Sequence, residues 1–370
     1  MMDFTTLKKE LLPLLTKAEK LRKRYRFFKV GNAFFIAIIL VGFTSLPIFM
    51  YTSSASYLKW MSQLSQAHSW FSFQTIMVLY WIPFFVFLTA SQNLKNKYKG
   101  AEREILKTLL KKTAPEFAFN ENLQITSKEI EASKLIPSYL QVNSSKHHTR
   151  PKVHNLNFGL LSGKIRETSI KMGDVKILNQ SLYGSYLMYI PFFTHFMLFS
   201  TYLRPWLSKK HSFEQTGSSF LGMFAIMDFN KKFNGTTIVL PDQLEKKVGY
   251  LAKTIQQLNL NRDPLVNLEN PEFEKEFVVY STDQVEARYI LTPSLMERIT
   301  NLKRKVNKPI MLSFKENKLY MGVHHPYGFF SLNDSKNLTT SNAIELFYED
   351  ISAAMGIVED LNLNTKIWKQ

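Results

Sequence analysis

The sequence predicts an α+β protein. An N-terminal two-helix transmembrane hairpin with a helical stalk is followed by a mixed β-rich domain that ends in a C-terminal helix. Three observations predict this. Two charge-free apolar runs, Gly31–Tyr51 and Trp70–Ala90, each reach the roughly 20 residues a helix needs to cross hydrocarbon. Basic residues crowd the outer flanks of both runs. From about Glu121 onward, short alternating segments bounded by Gly, Asn or Pro replace the helical periodicity.

The first 112 residues read as one membrane anchor. Over residues 4–29 the positions Leu7, Leu11, Leu14, Ala18, Leu21, Tyr25 and Phe28 recur at alternating spacings of four and three, a heptad seam. Pro13 shortens that helix if it acts as a breaker. Beyond the second run, Leu94, Tyr98, Ala101, Ile105 and Leu109 repeat the pattern over residues 91–112. With a short loop, Thr52–Ser69, between antiparallel spans, the two extensions emerge side by side and pair as a stalk; the other reading lays each helix flat on the membrane, basic side to the headgroups. The apolar run is too long for a cleaved signal peptide, and a second run follows it.

Charge sets the expected orientation. Residues 1–30 hold nine Lys/Arg against three acids, residues 91–112 hold seven against two, and the intervening loop holds only Lys59. The positive-inside rule then keeps both flanks, and both termini, in the cytoplasm. Most of the +17 formal charge sits at these flanks, and residues 113–370 carry only +5. Anionic membrane lipid, rather than nucleic acid, is the expected partner of the basic residues. The candidate headgroup contacts are Arg22, Lys23, Arg24, Arg26, Lys95, Lys97, Lys99, Arg204, Lys209 and Lys210.

Residues 120–361 read as a cytoplasmic α+β domain. Strands are expected at 123–126, 152–161, 164–170, 175–178, 221–228, 236–241, 276–280, 310–314 and 318–324. Helices are expected at 242–258 behind Asp242, at 293–306 with Pro293 in the first turn, and at 342–361 behind Ser341. One apolar face of the last helix carries Ile344, Phe347, Ile351, Met355, Val358 and Leu361. The segment 182–203 is uncharged and aromatic, long enough for a third span, yet basic on both flanks. A dip into the membrane leaflet and a buried packing segment are its other readings.

The stretches GSSFLGMFAIMDFNKKFNGTTIVLP (217–241) and LVNLENPEFEKEFVVYSTDQVEARYILTPSLMERI (265–299) carry a family resemblance. They resemble a bacterial family known as domain of unknown function 3137, whose hallmark is a similar LE…EFEK.F.VYS.DQVEARYILTP segment. The likeness runs on through Ile310–Phe314, Lys318–Met321 and the closing helix. It implies a membrane-anchored protein, here of a bacterial inner membrane and multi-pass, and it brings no established activity.

For chemistry, the hallmark segment offers Glu269, Phe273, Phe277, Asp283, Glu286 and Arg288 as a candidate ligand or partner site. The same residues have a structural reading. Phe273 and Phe277 suit a buried face, Asp283 suits a helix N-cap with Glu286 at the third position, and Arg288 suits a local ion pair. Catalytic, cofactor and metal sites are not expected. The chain has no cysteine, which removes thiolate chemistry and Cys-ligated metals. Gly159–Lys164 resembles a phosphate loop but is one residue short between its glycines, and Ile165 stands where Ser or Thr must bind magnesium. The pairs His147–His148 and His324–His325 would point to opposite faces of a strand. The sequence therefore favours a binding domain for an unidentified protein or lipid partner. The alternative is a membrane-bound enzyme with a site around Asp283, Glu286 and Arg288.

Overall fold

A computed structural model describes residues 4–67, 73–136, 152–155, 159–165, 168–178, 218–229, 234–242, 264–325, 328–332 and 334–361. The chain divides into two compact units. Pro13–Glu102 with Tyr183–Lys210 form one, and Met1–Leu12, Arg103–Leu182 and His211–Gln370 form the other.

Two long helices, α1 (Phe4–Ala67) and α2 (Phe73–Thr113), dominate the N-terminal part. Within the first unit they run antiparallel and meet through aromatic rings. Tyr25 stacks on Tyr98 with centroids 6.5 Å apart, Phe28 lies 5.0 Å from Phe87, and Phe35 lies 6.4 Å from Phe84. Asn32 Nδ2 donates to the Phe87 carbonyl at 3.4 Å. The buried stripe of α1 follows Leu7, Leu11, Leu15, Ala18, Arg22 and Tyr25, with Leu14 only half-buried. Arg22 enters the stripe because Glu19, one turn earlier, takes two of its N–H groups at 2.7 Å.

The structure corrects the membrane reading. Among the described residues no helix is long and apolar enough to cross a membrane. This overturns the transmembrane hairpin, the membrane assignment, and the multi-pass inner-membrane placement with cytoplasmic termini. The apolar runs are not discrete spans: the first lies inside the 64-residue α1, and residues 73–90 of the second form the first part of the 41-residue α2. Phe35 of the first run packs against Phe84 and Phe87 of the second, beside the Asn32 hydrogen bond. The expected loop Thr52–Ser69 is helical as far as Ala67, because that stretch holds neither Gly nor Pro to stop it. Pro13 does not shorten α1.

The second unit carries an antiparallel sheet. In chain order its elements are β1 (Phe117–Asn120), α3 (Ser127–Ser133), β2 (Lys152–Asn155), β3 (Leu160–Ile165), β4 (Thr168–Leu178), β5 (Ser218–Asp228) and β6 (Thr236–Pro241). There follow α4 (Pro271–Glu274), β7 (Phe277–Ser281), α5 (Gln284–Ile290), α6 (Pro293–Val306), β8 (Ile310–Lys315), β9 (Lys318–His324) and α7 (Ala343–Asp360). The strand order is β1-β3-β4-β5-β9-β8-β6-β7, with β2 also paired to β4. β3 takes the first half of one edge of β4 and β2 the second half, while β5 lines the whole opposite edge.

Strand alternation sorts the core into two faces. One holds Val175, Ile177, Phe220, Phe224, Ile226, Met311 and Tyr320, packed with Ile125, Ile130, Leu135 and Ile136 from around α3. The other holds Met223, Met227, Leu312, Phe314, Leu319 and Met321, all buried. Helix α6 begins with Thr292 accepting the Leu295 N–H and ends on Asn307 at φ 49°. Its basic side is answered within the unit: Lys303 pairs with Glu276, Arg304 with Glu272 at 3.2 Å and Lys305 with Asp360 at 2.7 Å.

Several expected boundaries shift. Leu123–Thr126 is not a strand, because Thr126 and Glu129 form a capping box that starts α3. The stretches 152–161 and 164–170 each straddle two strands, and 175–178 is the end of β4. Residues 243–258 of one expected helix, and the whole of 182–203, lie outside the described residues.

Candidate functional site

The hallmark segment folds as a ladder of local caps around β7. Asn270 starts α4 by accepting the N–H groups of Glu272 and Phe273, each at 3.1 Å. Glu274 reaches back to the Leu268 N–H at 2.7 Å. The chain before it lies along β7, where Val266 N–H donates to Val279 O and Ser281 N–H to Pro264 O. Phe273 and Phe277, two of the candidate residues, are buried core with stacked rings 5.0 Å apart. Lys303 lies 5.1 Å over the Phe277 ring. Glu269 is exposed in the turn before α4.

The three charged candidates sit at α5. Asp283 is its N-cap, and its Oδ1 accepts from Val285 N at 2.8 Å and Glu286 N at 3.1 Å. Glu286 does not close the box back onto Asp283. Its two carboxylate oxygens instead accept the N–H groups of Asn234 and Gly235, at 2.7 and 2.8 Å, so it fixes the chain entering β6. Arg288 makes no local ion pair among the described residues. It donates to the carbonyls of Gln284 and Asn267, both at 3.3 Å, and fastens the 264–268 segment beside the helix. Behind α5, Thr237 and Ser281 share a buried hydroxyl contact at 2.9 Å. The structure thus brings Asp283, Glu286 and Arg288 to one short helix, with each side chain bonded to backbone.

What the sequence reading missed around this helix is apolar. Val285 and Tyr289, one turn apart on α5, are 77% and 48% exposed, and Leu265 on the fastened segment is 51% exposed. The pattern V-x-x-x-Y on an amphipathic turn is visible in the sequence, but its outward direction depends on where Ala287 and Ile290 find the core.

A second polar group lies at the end of β9. Lys308 donates to Asp350 on α7 at 2.7 Å, and His325 Nε2 lies 3.4 Å from the other carboxylate oxygen. Burial pushes the Asp350 carboxyl up, but the hydrogen bonds of His325 and Lys308 outweigh it and hold the group below the usual aspartate range. The Phe329 ring sits between Lys308 and His325, at 4.9 and 5.1 Å. Among the described residues no group of three or more His, Asp and Glu side chains is placed to hold a metal.

The expected lipid contacts divide. Arg22 is buried in its pair with Glu19, and Lys99 pairs with Glu102 at 2.6 Å. Lys23, Arg24, Arg26, Lys95 and Lys97 are exposed. Arg204, Lys209 and Lys210 lie outside the described residues.

No curated protein and no solved structure matches the chain. One family does match, over residues 218–363, a span that starts at β5 and takes in the hallmark segment, α6, β8, β9 and α7. That family is described as "Protein of unknown function (DUF3137)", and the match is to this part of the chain.

Proposed function

We propose that the β-rich unit is a protein-binding domain that docks an apolar segment of a partner on α5 and the 264–268 segment beside it. The observation that carries this reading is the exposure of Val285, Tyr289 and Leu265 on two adjoining pieces of chain. Single exposed apolar residues are ordinary, but three on neighbouring segments mark a surface that gains by being covered. An exposed Tyr adds a large, rigid side chain of the kind that dominates binding energy at interfaces. Asp283, Glu286 and Arg288 support recognition over turnover, since their polar atoms already serve the backbone.

The test is site-specific photo-crosslinking of the full chain in cells of its source. A photo-reactive residue at Val285 should give an adduct with a second polypeptide. The same residue at Lys318, which is exposed on β9, should not. No adduct at 285, or the same adducts at both positions, would overturn the reading.

A further inference from the structure

The dipeptide Asn-Gly occurs once in the chain, at Asn234–Gly235, the two residues that lead into β6. Asparagine followed by glycine is the pair most open to attack by a backbone nitrogen on the preceding side-chain amide, because glycine puts no Cβ in the way. We propose that Asn234 is a deamidation site and that Glu286, on α5, restrains the reaction by holding the nitrogen that would attack.

The reaction needs only the chain and one water. Gly235 N gives up its proton and bonds to Asn234 Cγ, the Cγ–Nδ2 bond breaks, and Nδ2 leaves as ammonia with that proton. Water then opens the five-membered imide and leaves a carboxylate at position 234, as aspartate or isoaspartate. Asn234 is exposed, so water reaches the reacting carbon.

Glu286 acts on the attacking nitrogen directly. Its Oε2 accepts the Gly235 N–H at 2.8 Å and its Oε1 the Asn234 N–H at 2.7 Å. A carboxylate bonded to an N–H disfavours the deprotonated nitrogen, since charge on that atom would face charge, and it pins both residues in one geometry. The same contact fixes glycine at 235. A Cβ there would lie 2.5 Å from both Glu286 Oε2 and Thr282 Oγ1. The close approach that demands glycine therefore creates the labile pair and also guards it. Conversion would put a carboxylate on the residue whose own N–H Glu286 holds, and the two like charges would repel. Because ammonia is lost, that change is one-way.

The test is mass spectrometry of the digested full chain after incubation at neutral pH, with the free peptide of residues 232–237 as the unfolded reference. Asparagine at 234 should persist at least ~10-fold longer in the chain than in the peptide, the effect of about 1.4 kcal/mol on the barrier. Glu286→Ala should bring the rate in the chain to within a few-fold of the peptide's. Arg288→Gln, on the same helix, should leave it at the parent value. If Glu286→Ala does not fold, Glu286→Gln decides: it keeps the size, loses the charge, and should speed conversion several-fold. Three results would overturn the proposal: a parent chain that converts as fast as the peptide, a Glu286 variant that converts no faster than the parent, or an Arg288→Gln chain that converts as fast as Glu286→Ala.

Discussion

Asp174 and Gly328 fit together only because Gly328 has no side chain. Gly328 adopts φ +90°, and a Cβ there would lie 2.8 Å from Asp174 Cγ and closer still to Oδ2. The space left open lets the Asp174 carboxylate, 1% exposed on β4, accept the N–H groups of Phe329 and Phe330 at 2.9 and 2.7 Å. Asp174 thereby holds the segment after β9 against the sheet, with Phe329 in place between Lys308 and His325.

Removing that carboxylate should be expensive. Asp174→Ala leaves two buried N–H groups without an acceptor and is expected to cost about 3 kcal/mol. Gly328→Ala forces a side chain into a left-handed backbone and onto a carboxylate, at about 1–3 kcal/mol from strain alone. Amide hydrogen exchange checks both: protection of Phe329 and Phe330 should fall in each variant, while that of Val279 in β7 stays.

Asp350 gives the unit an acid limb. Its folded pKa is depressed, so its contribution is present above the unfolded value of about 3.9 and is lost as pH falls through the folded value. Thermal melts from pH 6 down to pH 2 should show a steepening loss of stability below about pH 4. Asp350→Asn should be less stable than the parent at pH 6 and lose less on acidification, so the two curves converge.

The caps at α5 should behave as scaffold. Asp283→Ala removes an N-cap and is expected to cost about 0.5–2 kcal/mol. Glu286→Ala releases the Asn234 and Gly235 N–H groups, partly reachable by water, at about 1 kcal/mol. Exchange protection of Gly235 should drop in Glu286→Ala and remain in Arg288→Gln, which instead frees the 264–268 segment.

The parts of this fold that announce themselves in sequence are those fixed by local chemistry. Pro293 and Asn307 bracket α6 because one suits a first turn and the other tolerates αL, and Asp283 caps α5 because its carboxylate reaches N–H groups two and three residues on. Strands β6 and β9 are short runs whose ends fall where expected, and β8 runs one residue further, to Lys315. The T-S-K-E box at Thr126 was equally legible, but the apolar pair Leu123 and Ile125 beside it resembles a strand. Long-range contacts were not legible. Nothing local says that Glu286 will serve residues 234–235, some 50 positions away, or that Asp174 will serve Phe329. The reading of the apolar runs as spans failed for the same reason. Length and lack of charge describe one helix, whereas Phe35 against Phe84 and Phe87 describes two. Of the candidate site, the sequence reading named the charges of α5 and left out Val285 and Tyr289, whose exposure depends on how α5 packs.

The central claim is that α5 binds through its apolar side chains while its charges hold the fold. The most direct measurement is the yield of crosslinked partner from a photo-reactive residue at Tyr289, compared in the parent, Val285→Asp and Glu286→Gln backgrounds. The account predicts that Val285→Asp lowers the yield at least ~10-fold, the effect of losing about 1.4 kcal/mol of binding, and that Glu286→Gln, whose side chain serves the Asn234 and Gly235 N–H groups, leaves it near the parent level. A yield that survives Val285→Asp and collapses in Glu286→Gln would contradict it.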